Sequence, residues 1–307
     1  MYKFAILSNL HQNEDGHEAC NGERKAMMQF EYVLPRADIR ALVGSYYDTT
    51  IPVGFDDVMR AEIANARFVI RGAVRTNMNG KEETFPVGSA LLCGPTYKWC
   101  SVGFDDDTLI FGAAITPLGW ARMLGIPANT LADRTVPFAD HVPPECALQI
   151  QPIFDATDAA SRAAAADTLF AALDDPERRV HDDFLALATR WITDPEPNEL
   201  EDLLAATDIS ARQVERLCKH YFGSAPKRLH RKFRALHSAN RLTWQELTDW
   251  RDIATTAYFD QSHFIREFKH FNGRTPSEFI KGAHLLVRQT LKERLQIAHE
   301  SPFSLVG

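Results

Sequence analysis

The stretch Asp260-Gln-Ser-His-Phe-Ile-Arg-Glu-Phe-Lys-His-Phe-Asn-Gly273 decides how this chain is read. Asp260 stands where an N-cap belongs, its carboxylate able to accept from the free N–H groups of a first helical turn. Phe264, Phe268 and Phe271 follow at intervals of four and three, which predicts one helical face and a core stripe. Gln261, Ser262, Ile265, Arg266 and Lys269 fall off that stripe. Asn272-Gly273 ends the helix, since glycine reaches the left-handed C-cap conformation without a Cβ clash. Asp252, Ile253, Ala254, Ala257, Tyr258 and Phe259 lead into it.

The same layout occurs 50 residues earlier. Leu200, Leu203, Leu204 and Ala206 mark a short amphipathic helix, and Thr207-Asp208-Ile209 makes a turn. Ser210 then caps a helix with Val214, Leu217 and Cys218 inward and Arg212, Glu215, Arg216 and Lys219 outward, closing at Phe222-Gly223. Aligning Val214 with Phe264 places Cys218 on Phe268 and Gly223 on Gly273, which makes an internal repeat. A proline follows each glycine in one register, Pro226 and Pro276, and each opens a further helix. In the second copy Thr275 and Glu278 can complete a capping box.

Residues 199–281 resemble the double helix-turn-helix domain of AraC/XylS-type transcription regulators. The run from Tyr258 to Lys269, followed by Gly273-Arg-Thr-Pro-Ser-Glu-Phe279, carries the resemblance, and both Gly-x-x-Pro endings make it specific. It implies that the chain binds double-stranded DNA with one helix of each copy in the major groove. By position in the motif, Arg212, Glu215 and Arg216 match base-facing positions of the first helix. Gln261, Ser262, His263, Ile265 and Arg266 match them in the second. Arginine there can make two hydrogen bonds to guanine and glutamine two to adenine. Lys219, Lys227, Arg228, Arg231 and Lys269 are placed for phosphates, which add affinity without sequence choice. The competing reading is a solvated basic face. Glu215 can accept from cytosine, orient Arg212 or Arg216, or only solubilise; Ile265 can touch a thymine methyl or pack inward.

Composition first argues against a nucleic-acid partner, because the 307 residues carry a net charge of −7. The average conceals an asymmetry: residues 198–290 hold 15 Lys and Arg against 11 Asp and Glu. Between Ala211 and Arg234 eight residues are basic and one is acidic, and local charge decides contact with phosphates. Five cysteines at no metal-like spacing fit a reducing cytoplasm. The first ten residues do not read as a signal peptide, and no apolar run approaches the ~20 residues that cross a bilayer. A cytoplasmic protein without membrane contact is expected.

Residues 1–30 read as a loose arm. Short β-prone segments follow: Phe30–Leu34, Ile39–Tyr47, Arg67–Arg71, Gly72–Thr76, Ser89–Cys93, Tyr97–Phe104 and Thr108–Ile115. Turn residues such as Asn79-Gly80, Gly94-Pro95 and Asp105-Asp-Asp107 separate them, which predicts a small sandwich or barrel. Thr116-Pro117 opens a short helix that Gly125 stops. The segments Phe111 to Ala128 and Leu131 to Phe138 resemble the N-terminal half of one AraC-type subgroup, which implies a cupin-like fold. Helices are expected over Ala159–Leu173 and Glu177–Ile192, and Thr193-Asp-Pro-Glu-Pro-Asn198 as a linker.

The expected class is therefore α+β: a β-rich cupin-like sensor or dimerisation domain over 1–140, a helical connector over 141–197, an all-α double helix-turn-helix domain over 198–290, and a tail over 291–307. Tyr97, Trp99 and Trp120, with Phe104 and Phe111, are candidates for lining an effector pocket, although aromatic residues equally fill sandwich cores. Metal cupins need clustered His and carboxylate ligands; before residue 150 only His11, His17 and His141 occur, none so spaced. No phosphate loop, nucleophile elbow or paired-carboxylate site stands out, so neither a cofactor nor an enzyme activity is expected. The reading is a sequence-specific, effector-responsive DNA-binding regulator, for which RNA polymerase, a small molecule and a second copy of the chain are compatible partners. Against it stands a small-molecule-binding or catalytic β-domain with a helical assembly module.

Overall fold

The computed structural model describes residues 28–194, 199–253, 260–282 and 285–297. The N-terminal arm, the Pro-rich linker, the lead-in from Ala254 to Phe259 and the end of the tail fall outside the described residues. Ten antiparallel strands form two sheets. The larger runs in the order β1 (Gln29–Val33), β2 (Val43–Ile51), β9 (Thr108–Ile115), β4 (Ala64–Arg71), β7 (Ala90–Cys93) and β10 (Thr135–Pro137). The smaller runs β3 (Phe55–Met59), β8 (Cys100–Phe104), β5 (Ala73–Met78) and β6 (Lys81–Pro86). This is the two-sheet, cupin-like architecture that the resemblance implied.

Two sequence expectations shift. The strand placed at Ile39–Tyr47 begins at Val43, because Leu42 and Val43 donate backwards to Ile39 in a turn. The strand placed at Tyr97–Phe104 begins at Cys100, residues 94–99 being a loop that the helical half occupies. β3, β6 and β10 had not been foreseen; Phe55–Met59 and Lys81–Pro86 are charged and only half buried, so hydrophobic alternation is weak there.

Thr116 caps Pro117–Gly119, which widens into a π-helical turn, Trp120–Leu124, stopped by Gly125 at φ 67°. Helix α1 (Ala159–Leu173) opens on an Asp158–Ser161 capping box and covers the outer face of the large sheet. It is tied to β2 by a buried ion pair, Arg162 Nε to Asp48 Oδ2 at 2.7 Å, and by Tyr46 donating to Asp167 at 2.9 Å. The helical half follows: α2 (Asp182–Thr193), α3 (Leu200–Ala205), α4 (Ala211–Phe222), α5 (Pro226–Trp244), α6 (Gln261–Asn272), α7 (Pro276–Lys281) and α8 (Leu285–Ile297). α8 runs continuously across residue 290, where the sequence reading had placed the start of a tail.

One core lies between α2, α4 and α5 and includes Val214, Leu217 and Cys218. A second lies between α5, α6, α7 and α8 and includes Phe264 and Phe268. Phe271, expected in the same stripe, instead packs against Ala61 of the β domain and Ala235 of α5.

Candidate nucleic-acid interface

α4 and α6 are built alike. Ser210 accepts from the backbone of Gln213 in a capping box, and Asp260 accepts from Ser262 N at 3.0 Å. Both helices end on a left-handed glycine, Gly223 at φ 88° and Gly273 at φ 80°. These caps fix where each helix starts and stops, so the residues between them keep a defined phase.

Arg212, Glu215 and Arg216 are exposed on α4, and Gln261, Ser262, His263 and Arg266 are exposed on α6. Most lie in the N-terminal half of their helix, the part that reaches base edges when such a helix enters the major groove. Ile265 is half buried and packs on the second helical core. Glu215 accepts from Lys219 Nζ at 2.6 Å, and this contact holds its carboxyl below the usual range.

The residues placed on phosphates divide into two groups. Lys219, Lys227 and Lys269 are exposed. Arg228 lies over the Tyr97 ring at 4.8 Å and within 3.8 Å of Asp133, so it leans on the β domain. Arg231 binds Glu267 Oε2 at 2.7 Å, and Arg234 binds Glu267 Oε1 at 2.8 Å. Glu267, whose side chain is 0% exposed, was not singled out in the sequence. It lies at i+3 from Phe264, a spacing that could have marked it as inward.

The β domain touches both copies through two neighbouring segments, the end of β3 with residues 60–63 and the loop 94–99. Tyr97 donates its hydroxyl to the Phe222 carbonyl at the end of α4. Lys232 of α5 donates to Glu62 O at 2.6 Å, its ammonium 4.7 Å from the centre of the Tyr97 ring, and burial presses its pKa down to about 7. Trp99 N donates to His270 O at 3.4 Å and Ala61 N to Phe271 O at 2.8 Å, both at the end of α6. A Cβ on Gly223 would come within 2.7 Å of Pro95, and one on Gly273 within 2.9 Å of Val58 and 3.2 Å of Trp99. The two glycines therefore end the helices and also admit the β domain.

Tyr97 and Trp99 thus lie where the halves meet, and Trp120 is buried in the core under the large sheet, its Nε1 donating to Ile126 O. Tyr97 and Trp120 line a cleft of ≈ 20 Å³. A larger cavity of ≈ 100 Å³ lies between the two sheets, lined by Val74, Val102 and Phe104 from one and Tyr47, Val69 and Ile110 from the other. That is room for several water-sized groups. Arg60, Arg67, Arg294 and Glu62 also line it. Arg67 pairs with Glu62 and donates to Tyr47 OH at 2.9 Å; Arg60 donates to Asn240 at 2.8 Å. Burial, and next the like charge of Arg294, press the pKa of Arg60 down to about 9.

The described cysteines are buried, and burial pushes the thiols of Cys100 and Cys218 up to about 12, which leaves little thiolate for redox sensing. Among the described residues no cluster of His, Cys, Asp or Glu is arranged to hold a metal, and no helix is long and apolar enough to cross a membrane.

A family model described as a helix-turn-helix domain matches residues 203–282. No curated protein matches the chain. Among solved structures, ToxT from Vibrio cholerae O395 aligns over 84% of this chain and 100% of its own, at 11% identity and a TM-score of 0.45. The same protein bound to (E)-4-(8-methylnaphthalen-1-yl)but-3-enoic acid aligns over 83% of this chain and 98% of its own, at 10% identity and 0.46. A predicted oxalate decarboxylase from Thermotoga maritima aligns with 29% of this chain and 79% of its own, at 12% identity and 0.25. The duplicated, capped helices and the matching family model agree: residues 203–282 are an AraC/XylS-type helix-turn-helix domain, and the chain is a DNA-binding transcription regulator.

Proposed function

We propose that α4 and α6 read two successive major-groove segments on one face of the duplex, about one helical turn apart. Arg212, Glu215 and Arg216 would face bases in one segment and Gln261, Ser262, His263 and Arg266 in the other. Lys219, Lys227 and Lys269 would sit on phosphates. The domain division is taken as β-rich to residue 140, connecting helices to 197, the DNA-binding part from 198 to 290, and a tail from 291. The carrying observation is that two helices of equal length present exposed polar faces from one scaffold, with α5 between them.

The barrel cavity is the effector site in this reading, and the loop around Tyr97 passes its state to both helices. An effector acts by favouring one arrangement of the halves, and only through its differential affinity for the two. Activity inside a cell, a dimer and contact with RNA polymerase belong to the same reading.

Selection of genomic fragments by the purified full chain, followed by sequencing, tests it. Two short shared blocks about ten base pairs apart are expected. Arg212→Ala should relax one block and Arg266→Ala the other, each costing about 1–3 kcal/mol of specific binding. Uniform weakening without relaxed sequence choice would reduce both arginines to phosphate contacts.

A further inference from the structure

The loop of residues 94–99 lies between the ends of α4 and α6. Pro95 packs against Gly223 at the end of the first, and Trp99 against Gly273 at the end of the second. Arg228 Nη2 of α5 donates to the Tyr97 carbonyl at 3.4 Å, and Trp99 N donates to His270 O of α6 at 3.4 Å. Lys98 stands between those two anchors, so the β domain holds one lysine where α5 and α6 meet. It is half buried, and among the described residues it makes no hydrogen bond or ion pair.

Positive charge gathers around it. Partial burial, and next the like charges of Arg228, Arg231 and Lys98, press the imidazole of His270 below the usual histidine range. Glu267 takes up the charge of Arg231. Arg228 has only Asp133, at 3.8 Å, and among the described residues no carboxylate pairs with Lys98 or His270. Cations that the fold holds together with so little compensation favour an anion from outside. The same cluster continues the exposed face of α6. Ser262, Arg266 and Lys269 follow at four and three, and His270 lies four beyond Arg266. Twelve residues make α6 about 18 Å long, whereas the major groove is about 8.5 Å deep. With the N-terminal half of α6 against base edges, its far end stands at the phosphate rim.

We propose that Lys98 is a DNA-phosphate contact contributed by the β domain, and that with Arg228 and His270 it holds the backbone between the two major-groove segments. The contact is made by charge and hydrogen bonds to phosphate oxygens, and it carries no sequence choice. The DNA interface then extends beyond the helical half, to a residue outside the stretch that the family model matches. The loop that seats the β domain on both copies also meets the duplex, so that domain stays docked when DNA is bound. This rests on the reading that α4 and α6 enter successive groove segments from one scaffold.

The test titrates the full chain onto a selected site and onto an unrelated duplex at several salt concentrations. Lys98→Ala should lower the slope of log affinity against log salt by roughly one on both, weakening them alike. Lys98→Arg, which keeps the charge, should restore the slope and guards against a misfolded Ala variant. Lys81→Ala makes the same change in net charge on the outer strand of the small sheet, and should leave the slope as it is. Ethylation of single phosphates should hinder the natural chain between the two blocks, and Lys98→Ala should lose that hindrance. An unchanged slope in Lys98→Ala, or an equal fall in Lys81→Ala, would overturn the proposal. So would calorimetric binding of inorganic phosphate that Lys98→Ala abolishes while the DNA slope stays, since the site would then serve a free anion. If fragment selection enriches no two-block site but the slope still falls on the unrelated duplex, the phosphate contact stands and the base-reading assignment falls.

Discussion

Residues 50 apart in α4 and α6 occupy the same places, and the comparison separates what reads DNA from what holds the reader. Arg216 and Arg266 correspond and are both exposed, as are Lys219 and Lys269. Gly223 and Gly273 correspond and both admit the β domain. The inward position differs. Leu217 of the first copy is an apolar core residue, and its counterpart is Glu267, a fully buried carboxylate bridging Arg231 and Arg234 of α5. The first copy is thus seated by hydrophobic packing, which tolerates small rotations. The second adds to the packing of Phe264 and Phe268 a pair of directional charged hydrogen bonds, which fix the angle of α6 on α5.

Replacing Glu267 by Ala should therefore produce the largest change. It strands two guanidiniums and leaves a void, and breaking a buried pair from one side costs about 3–5 kcal/mol. Arg231 and Arg234 keep 42% and 21% of their side-chain surface in water, which places the loss nearer 2–3 kcal/mol. Urea unfolding measures it. In fragment selection the block read by α6 should fade while the block read by α4 survives. Equal loss of both blocks would mean that the two copies fold and bind as one unit, and the comparison would fail.

The repeat itself was legible because its signals are short-range: caps, a period near 3.6, and a glycine after each helix. The role of the buried Glu267 was not, since its spacing from Phe264 marks the position as inward but nothing local shows that Arg231 and Arg234 of α5 meet an acidic residue there. The cavity was illegible for a related reason. Tyr47, Arg67 and Arg294 meet only through strand pairing and the return of α8, and no local pattern encodes that distance in sequence. The aromatic cue could not carry that distance either: Tyr97, one of the pocket candidates, lines a small cleft and also donates to the end of α4, a contact that depends on the packing of the two halves.

The attachment of the first copy to the β domain makes a second, intermediate test. Lys232 is 1% exposed, and burial holds its pKa near 7, below the ordinary 10.5, with Asp133, Glu62, Arg60 and Arg228 facing it. Between pH 7 and 10.5 the unfolded chain binds the proton that the folded chain has released, so this group makes stability rise with pH. Below pH 7 both states carry the proton and the cost is constant. Lys232→Met keeps the stem packed on Tyr97 and removes the charge. It should raise stability by about 1 kcal/mol near neutral pH and flatten that rise. Urea midpoints of both proteins across this range measure the difference; parallel curves would mean that the ammonium reaches water in solution.

The smallest effect concerns the two exposed lysines. Lys219 is engaged by Glu215 four residues before it, whereas the residue four before Lys269 is Ile265. A phosphate approaching α4 must displace or share that carboxylate, and an exposed pair of this kind is worth about 0–1 kcal/mol. Lys269→Ala should therefore lower the slope of log affinity against log salt by roughly one, and Lys219→Ala by visibly less. Glu215→Ala should bring the two lysines level if its carboxylate only restrains Lys219. If it instead accepts from a cytosine, the same substitution leaves the salt slope alone and relaxes a single base position. Titrations of the natural chain and the three variants at several salt concentrations, on matched and mismatched sites, separate the two roles of Glu215.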